Sequence, residues 1–388
     1  MNHSLTKTYF IKTYGCQMNK TDSERLATDL ENQGFKLADS WKDCDQVILN
    51  TCAVRKRVED RARDFIHKIE EHYQQQKKPK PKIILTGCMI HHSAEKLRKM
   101  EPGIDEVLDI SEVSFNIQPK RTDKKHAFVP ISTGCNSFCT YCIVPFARGR
   151  EESRPMKDIL IEISNLANLG YEEITLLGQN VNSWGLEKVG VNLRKLMMHD
   201  KSFTRKDLPS NQSQYLKPKG TPPFVKLLQE VSKINQINTI RFMSANPWDF
   251  YDELIEEIGS NKKIDRYIHL PIQSGSDSVL ARMNRGYTTS DYLNIVTKLK
   301  KADPNIILGT DLIVGFPQES DLEFQETVEF AKIINWQVGF INKYSPRPGT
   351  LADRLYLDDI SPQVKTKRWR ILEEIINKPH LNHRPKVV

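Results

Sequence analysis

The sequence predicts an α/β protein with an N-terminal open parallel sheet and a second, larger parallel sheet that is either open or curled into an incomplete barrel. Three observations support this. Short β-rich runs alternate with helical runs in both halves of the chain. The length of 388 residues favours two or three domains. A charged stretch, QPKRTDKK at 118–125, separates the two series of elements.

The N-terminal series alternates strands and helices up to residue 110. Strands are predicted at TYFIKTYG, DQVILNTC, KIILTGC and IDEVLDI. Helices are predicted at DSERLATDLENQGF, KRVEDRARDFIHKIEEHYQQQ and SAEKLRKM. We therefore expect a first domain over 1–120.

The second series contains six βα-type units. Its strands are predicted at AFVPIST, EEITLLG, TIRFM, YIHLPI, IILGTDLIV and QVGFINKY. A polar insertion at 185–220 interrupts the series, and insertions of this kind usually form surface loops. We expect a second domain over 121–360 and a C-terminal helix and tail over 361–388.

Composition limits the function classes. No apolar run approaches the roughly 20 residues that cross a bilayer, and the N-terminus lacks the apolar region of a secretory signal. We therefore expect a cytoplasmic protein without a membrane partner. Lys and Arg outnumber Asp and Glu by 57 to 49, a surplus that attracts polyanions or simply forms a basic surface. An odd number of cysteines, seven, favours metal or redox chemistry over disulfides.

Three cysteines each end a predicted strand of the first domain: Cys16, Cys52 and Cys88. The carboxyl ends of parallel strands share one edge of a sheet, so the three thiols can converge there. Cys44 has no such place and is interpreted as a structural thiol. His91 and His92 follow Cys88 closely and are expected to be exposed helix residues.

The other three cysteines form a C-x3-C-x2-C run, Cys135, Cys139 and Cys142, after the first strand of the second domain. A structural zinc site needs four ligands, and no local Cys or His completes one. Three thiolates on a [4Fe–4S] cluster leave one iron open for an exogenous ligand. Cluster binding is favoured, with zinc binding and unliganded core thiols as alternatives.

The run C-x3-C-x-aromatic-C, with Tyr141 as the aromatic residue, resembles the signature of radical S-adenosylmethionine (SAM) enzymes. Further segments resemble the methylthiotransferases: YGCQMN, DSE, NTCAVR, TGCMI, CIVPFARGREESR, LLGQNVNSW, HLPIQSGS, DLIVGFPQES and YSPRPGT. YGCQMN and LLGQNVNSW are most similar to the MiaB-type tRNA branch. The branches that act on threonylcarbamoyladenosine in tRNA or on a ribosomal protein remain alternatives, as does an inactive tRNA- or ribosome-binding relic.

The resemblance implies a radical SAM partial (βα)6 barrel and two [4Fe–4S] clusters. One cluster would be held by Cys135, Cys139 and Cys142, and an auxiliary one by Cys16, Cys52 and Cys88. The implied reaction uses SAM to transfer a methylthio group to C2 of N6-isopentenyladenosine, beside the anticodon in tRNA. A flavodoxin- or ferredoxin-type protein is the implied electron donor. Ordinary acid–base catalysis cannot remove the hydrogen from an aromatic C2–H. The implied reaction therefore favours radical chemistry.

Other site residues are weaker hypotheses. Polar or charged residues beside the cysteine run or at the carboxyl ends of barrel strands are expected to contact SAM; they are Tyr141, Arg154, Gln179, Ser244 and Gln273. Arg148 and Arg150 are expected to meet tRNA phosphates. The alternatives are loop capping for the polar residues and a solvated basic face for the arginines.

The segment after YSPRPGT departs from the family pattern. MiaB-type enzymes carry a small C-terminal β-barrel, called TRAM, that grips tRNA. Here KTKRWRILEEIINK predicts a helix, and no strand-rich segment follows it. We expect no TRAM barrel in this sequence, so how tRNA is held is left open.

Overall fold

The computed structural model describes residues 7–53, 56–91, 94–110, 117–186 and 218–383. They form two compact units. Unit 1 comprises Met1–Pro130 and Phe146–Gly149, and unit 2 comprises Ile131–Pro145 and Arg150–Val388. The units divide after Pro130 rather than after residue 120, because strand His126–Pro130 packs with the first helix of unit 1.

Unit 1 contains a five-stranded parallel sheet. Its elements are β1 Thr8–Tyr14, α1 Gln17–Asn32, β2 Lys36–Leu37, β3 Gln46–Thr51, α2 Lys56–Gln75, β4 Lys82–Gly87, α3 Ala94–Met100, β5 Glu106–Val107 and β6 His126–Pro130. The strand order is β2-β1-β3-β4-β5, and every pair is parallel. The predicted open parallel sheet is confirmed. Strand β2 was not predicted, because two exposed residues give no hydrophobic period.

The central strands of unit 1 are buried on both faces. All six residues of β3 are buried, and successive side chains of a strand point to opposite faces. Val47 and Leu49 pack in one apolar cluster with residues of α2, while Ile48 packs with Leu26 and Leu30 of α1. A helix therefore covers each face of the sheet, which explains why the strands read as continuous apolar runs.

Helix α1 begins at Gln17, five residues before the predicted start at Asp22. Its first turns are polar in sequence yet buried, with Asn19 fully inaccessible and Asp22 2 % exposed. Buried polar residues hide the apolar period on which the sequence prediction relied. The longer helix makes Cys16 its N-cap residue.

Unit 2 continues the alternation of strands and helices. Its elements are β7 Ser132–Thr133, α4 Val144–Arg148, β8 Glu152–Ser153, α5 Met156–Asn168, β9 Glu173–Leu177, α6 Pro223–Ser232, β10 Thr239–Phe242, α7 Asp252–Ser260, β11 Tyr267–His269, α8 Asp277–Arg282, α9 Thr289–Ala302, β12 Ile307–Val314, α10 Asp321–Ile334, β13 Val338–Lys343, α11 Leu351–Leu355 and α12 Pro362–Leu372. The last residues of α4, from Phe146, belong to unit 1 by their contacts.

The long strands of unit 2 are parallel. Strand β9 pairs with β10, and β11, β12 and β13 pair in that order. An isolated parallel bridge joins Ile240 of β10 to Ile264, three residues before β11 begins. The insertion predicted at 185–220 lies almost entirely outside the described residues. Helix α12 is followed by a π-helical turn at Glu373–Asn377 and a 3-10 segment at Lys378–His383. Among the described residues no helix has the length and hydropathy needed to cross a membrane.

Candidate metal centres

The three cysteines of unit 1 lie at one edge of its sheet, where their positions in the sequence suggested. Tyr14, Thr51 and Gly87 are register partners on β1, β3 and β4. Cys52 and Cys88 directly follow two of these residues, and Cys16 follows Tyr14 by two. Neighbouring strands lie about 4.8 Å apart, so the register brings all three thiols to the carboxyl edge.

Close packing of the backbone at this edge requires glycine. Gly87 has φ +88°, and a Cβ there would lie 2.4 Å from the Thr51 carbonyl oxygen and 2.4 Å from Asn50 Oδ1. A Cβ on Gly15 would lie 3.0 Å from Cys52 Cβ. The glycine before Cys88 and the one before Cys16 thus allow the cysteine-bearing turns to approach strand β3.

A buried amide pair fixes the start of α1 against the end of β3. Asn19 Nδ2 donates to Asn50 Oδ1 at 2.8 Å, and Asn50 Nδ2 donates back to the Asn19 carbonyl oxygen at 2.8 Å. Asn50 Nδ2 also donates to Ser23 Oγ at 2.9 Å. Both amides are fully buried. Because Cys16 precedes Asn19 by one helical turn and Cys52 follows Asn50 by two residues, this pair positions both cysteines.

Arg148 lies in unit 1 and points at a thiol, not at solvent. Its Nε donates to Cys88 Sγ at 3.2 Å, and its Nη2 donates to Asp22 Oδ2 at 2.8 Å. The side chain of Arg148 is 4 % exposed. Asp22 also accepts from Arg25 Nη2 at 2.6 Å. The Arg148 guanidinium is enclosed by these partners and is not part of a solvated face. Its contact with tRNA phosphates stays a prediction, and it would have to compete with Cys88 and Asp22.

The electrostatics of this edge favour an anion. Cys16 lies at the N-terminal end of α1, where the helix dipole is positive. Burial raises the pKa of the Cys88 thiol, and the Arg148 guanidinium opposes that rise. A thiolate at Cys88 therefore has a compensating cation within hydrogen-bond distance. Metal binding would remove the thiol protons and supply the second compensating charge.

The cysteine run of unit 2 is a buried loop pinned by a distant segment. Thr140 N donates to the Met283 carbonyl oxygen at 3.0 Å, and Thr140 Oγ1 donates to the Arg282 carbonyl oxygen at 2.9 Å. Asn284 Nδ2 donates to the Phe138 carbonyl oxygen at 3.1 Å. Cys135 and Cys139 are buried, and Cys142 is half-buried. The segment 282–284 thus fixes the shape of the loop that carries the thiols.

Arg285 continues that segment and points at the loop. Its Nη1 donates to Cys139 Sγ at 3.1 Å, its Nε to the Tyr287 hydroxyl at 2.8 Å and its Nη2 to the Pro271 carbonyl oxygen at 3.2 Å. The guanidinium stacks on Trp248, with Arg285 Cζ 4.6 Å from the centroid of the ring. None of these partners is a carboxylate, and within the described part of the chain Arg285 forms no ion pair with one.

The unpaired charge of Arg285 tests whether the site fits a cluster. A buried guanidinium without an anion is costly. Three thiolates around a [4Fe–4S] core form a net anionic group, which would compensate the charge. The residues present fit the cluster.

Three of the predicted SAM contacts follow the carboxyl ends of strands in unit 2. Gln179 follows β9, and its Oε1 is buried and accepts no hydrogen bond from any residue that the structure describes. Ser244 follows β10 with φ +64°, and Gln273 follows β11 with φ +78°. Left-handed backbone at residues other than glycine is strained and concentrates at functional sites. These features agree with ligand contact, which stays a prediction for all three residues.

The remaining predicted contacts have other partners in the structure. Tyr141 packs against the apolar cluster that contains Met283 and Phe316. Arg154 Nη1 pairs with Glu162 Oε2 at 2.7 Å, both side chains being about nine-tenths buried. Arg150 is exposed. A SAM contact by Arg154 would therefore have to compete with Glu162.

Cys44 and the histidines after Cys88 were also singled out in the sequence. Cys44 is half-buried, and its Sγ donates to the Trp41 carbonyl oxygen at 3.4 Å. Burial, with Asp45 and Asp43 nearby, raises its pKa to about 11, so it is a thiol, as expected of a structural cysteine. His92 and the side chain of His91 lie outside the described residues.

Sequence reasoning missed the role of Arg285 entirely. It also assigned no role to Asn19, Asn50 and Asp22, which appeared only as residues of the quoted motifs. The only signal for these three was a polar residue beside a cysteine in an otherwise apolar context. No signal in the sequence pointed to Arg285, because its partner lies 146 residues away.

Two family models match the chain. One, described as uncharacterized protein family UPF0004, matches residues 8–109, and the other, the radical SAM superfamily, matches residues 129–331. The similar curated proteins are named tRNA-2-methylthio-N(6)-dimethylallyladenosine synthase. The protein from Thermotoga petrophila is 37 % identical over 94 % of this chain and 80 % of its own length. That from Protochlamydia amoebophila is 37 % identical over 97 % of this chain and 82 % of its own length.

Solved structures share the fold at low sequence identity. The radical SAM methyltransferase TsrM from Kitasatospora setae, with cobalamin and a [4Fe-4S] cluster bound, has a TM-score of 0.58 at 14 % identity, covering 90 % of this chain and 77 % of that one. The cobalamin-dependent radical enzyme OxsB has a TM-score of 0.51 at 11 % identity, covering 95 % and 55 %. The predicted fold class, with its [4Fe–4S] and SAM cofactors, is confirmed. The chain belongs to the radical SAM superfamily and, within it, to the family of the tRNA-2-methylthio-N(6)-dimethylallyladenosine synthases.

Proposed function

We propose that this protein transfers a methylthio group to C2 of N6-dimethylallyladenosine beside the anticodon of tRNA. The observation that carries the proposal is the second thiol triplet, Cys16, Cys52 and Cys88, at the carboxyl edge of the unit 1 sheet. A radical SAM enzyme that only generates a radical needs one triplet. Two triplets, together with the names of the relatives, support a reaction that also needs a sulfur donor.

The protein's own residues provide positioning and charge. When bound, the clusters and SAM supply sulfur and a carbon radical able to take hydrogen from an unactivated C2–H. Cys135, Cys139 and Cys142 would hold one cluster, and the 282–284 segment fixes their loop. Arg285 and Arg148 each donate a hydrogen bond to one ligand sulfur.

The carboxyl-edge residues of unit 2 bind and orient SAM in this proposal. The buried Oε1 of Gln179, which accepts no hydrogen bond from the described residues, would accept one from a hydroxyl or ammonium group of SAM. Ser244 and Gln273, which follow β10 and β11 with left-handed backbone, would supply further polar groups. Arg150, which is exposed, is the more accessible candidate for contact with a tRNA phosphate. A flavodoxin- or ferredoxin-type protein supplies electrons, and the protein acts in the cytoplasm.

The experiment compares wild type with two cysteine variants. After anaerobic reconstitution, each is incubated with SAM, a reductant and tRNA that carries N6-dimethylallyladenosine, and the digested nucleosides are analysed by mass spectrometry. Wild type should hold about eight irons and form the 2-methylthio nucleoside. Cys135→Ala should neither cleave SAM nor form product.

The variant Cys16→Ala/Cys52→Ala/Cys88→Ala separates the two triplets. It should keep about four irons and still cleave SAM to 5′-deoxyadenosine, but form no methylthio nucleoside. Methylthiolation by this variant would contradict the proposal. Product on tRNA that carries threonylcarbamoyladenosine, with none on the dimethylallyl substrate, would assign the chain to the alternative substrate.

A further inference from the structure

Arg285 is a buried cation that forms no ion pair with a carboxylate of the described residues. Within unit 2 its guanidinium contacts one thiol, one phenol hydroxyl, one carbonyl oxygen and the faces of two aromatic rings. Arg241, on β10 of the same unit, shows the ordinary arrangement. It pairs with Glu173 at 2.5 Å and Asp265 at 2.7 Å. Arg285 therefore differs from a structural ion pair in having a cluster ligand, Cys139, where a carboxylate would stand.

We propose that Arg285 is a positioning residue that raises the reduction potential of the cluster held by Cys135, Cys139 and Cys142. The inference rests on the proposed function in that it requires a cluster on this triplet. It goes beyond that function in assigning control of the electron-transfer step to a residue that binds no iron.

The guanidinium of Arg285 is held in its orientation towards Cys139. The Tyr287 hydroxyl accepts from Arg285 Nε and donates to the Ile272 carbonyl oxygen at 2.7 Å. Burial raises the pKa of Tyr287 to about 12, so this hydroxyl stays protonated and keeps both hydrogen bonds. Trp248 covers one face of the guanidinium at 4.6 Å. Nη1 is thus fixed with its N–H on Cys139 Sγ.

The effect of Arg285 on the potential is electrostatic. Reduction adds one negative charge to the cluster and spreads part of it onto the ligand sulfurs. A hydrogen-bond donor and a positive charge 3.1 Å from one sulfur stabilise the reduced state more than the oxidised state. The site is buried, so water screens the interaction weakly. Hydrogen bonds to the sulfurs are a known control of cluster potential.

The test is a potentiometric titration of the full-length protein, followed by electron paramagnetic resonance. The background is Cys16→Ala/Cys52→Ala/Cys88→Ala, so that only one cluster contributes to the signal. In this background Arg285→Met should make the cluster harder to reduce, with the reduction equilibrium constant falling about tenfold, or about 59 mV for one electron. Arg285→Lys keeps the charge and should recover part of the shift.

The matched control is Arg241→Met, which removes an arginine of unit 2 that does not touch the cysteine loop. It should lower stability without moving the potential. If the Arg285→Met protein loses its cluster, Tyr287→Phe is measured in its place. This variant removes the hydrogen-bond partner of Arg285 Nε but keeps the guanidinium, so a smaller shift of the potential in the same direction is expected.

The outcomes separate the inference from the proposed function. A full cluster with the wild-type potential in Arg285→Met, or in its substitute Tyr287→Phe, overturns the role of Arg285 and leaves the cluster assignment intact. A background protein that binds no iron on Cys135, Cys139 and Cys142 overturns the cluster assignment, and the inference with it.

Discussion

Replacing Gly87 by alanine should damage the auxiliary thiol site through backbone packing alone. Gly87 combines a left-handed φ of +88° with contacts of 2.4 Å from the missing Cβ to Thr51 O and Asn50 Oδ1. The left-handed conformation costs a residue with Cβ about 1–2 kcal/mol. Overlap with a packed neighbour adds about 1–3 kcal/mol. We expect a total loss of about 2–5 kcal/mol in the stability of unit 1.

Gly34→Ala is the matched control in the same unit. Gly34 has φ +89°, and a Cβ there meets nothing within 4 Å. This variant carries the conformational cost without the overlap and should lose about 1–2 kcal/mol. The difference between the two variants therefore isolates the approach of β4 to β3 beside Cys52 and Cys88.

Hydrogen exchange on peptides that cover β3 and β4 measures the opening of unit 1 separately from unit 2. Iron analysis then reports the consequence for the site. Gly34→Ala should keep about eight irons per chain, and Gly87→Ala should fall towards about four. Equal destabilisation of the two variants, with full iron in both, would refute the claim that close backbone packing builds this site.

Three further outcomes are expected. Asn50→Ala leaves the buried Asn19 side-chain amide without its hydrogen-bond partner and should destabilise unit 1 by about 2–3 kcal/mol, with loss of the auxiliary iron. Undiminished protection of unit 1 amides from hydrogen exchange would contradict this. Cys44→Ala should keep about eight irons, and a loss of four would make Cys44 a ligand. Desolvation raises the pKa of Glu323, but hydrogen bonds from Arg282 and Ser278 outweigh it and lower the pKa to about 2. Because the pKa of Glu323 is lower in the folded state than in the unfolded state, where it is about 4.3, ionised Glu323 stabilises the protein above that pH. In thermal unfolding the wild type should therefore be more stable than Glu323→Gln at neutral pH, and this difference in stability should vanish as the pH falls from 4 towards 2.

The sequence was sufficient to predict the longer strands and the placement of three cysteines at one edge of the unit 1 sheet, for a local reason. Buried parallel strands read as short apolar runs, and each of the three unit 1 cysteines follows such a run. In-register pairing of β3 with β4 places Thr51 opposite Gly87, so cysteines one residue further along must be neighbours.

The features that escaped prediction depend on distant contacts. Arg148 follows the cysteine run of unit 2 closely in sequence, which suggested a surface or substrate-binding role. Its real partners, Cys88 and Asp22, lie 60 and 126 residues away. The start of α1 was placed too late because Asn19 and Asp22 are polar, and only their buried partners explain why a helix forms there.

The two thiol sites meet the same physical requirement in different ways. A net anionic cluster in a dry site needs a compensating cation, and each site has an arginine donating to one ligand sulfur. Arg148 also pairs with Asp22, so its charge has a partner whether or not a cluster is bound. Arg285 contacts no carboxylate among the described residues, so its charge is matched only when the thiols beside it carry negative charge. The fold of unit 2 thus leaves an electrostatic imbalance that cluster binding removes, which is why Arg285 is the residue whose substitution should act on the cluster before it acts on the fold.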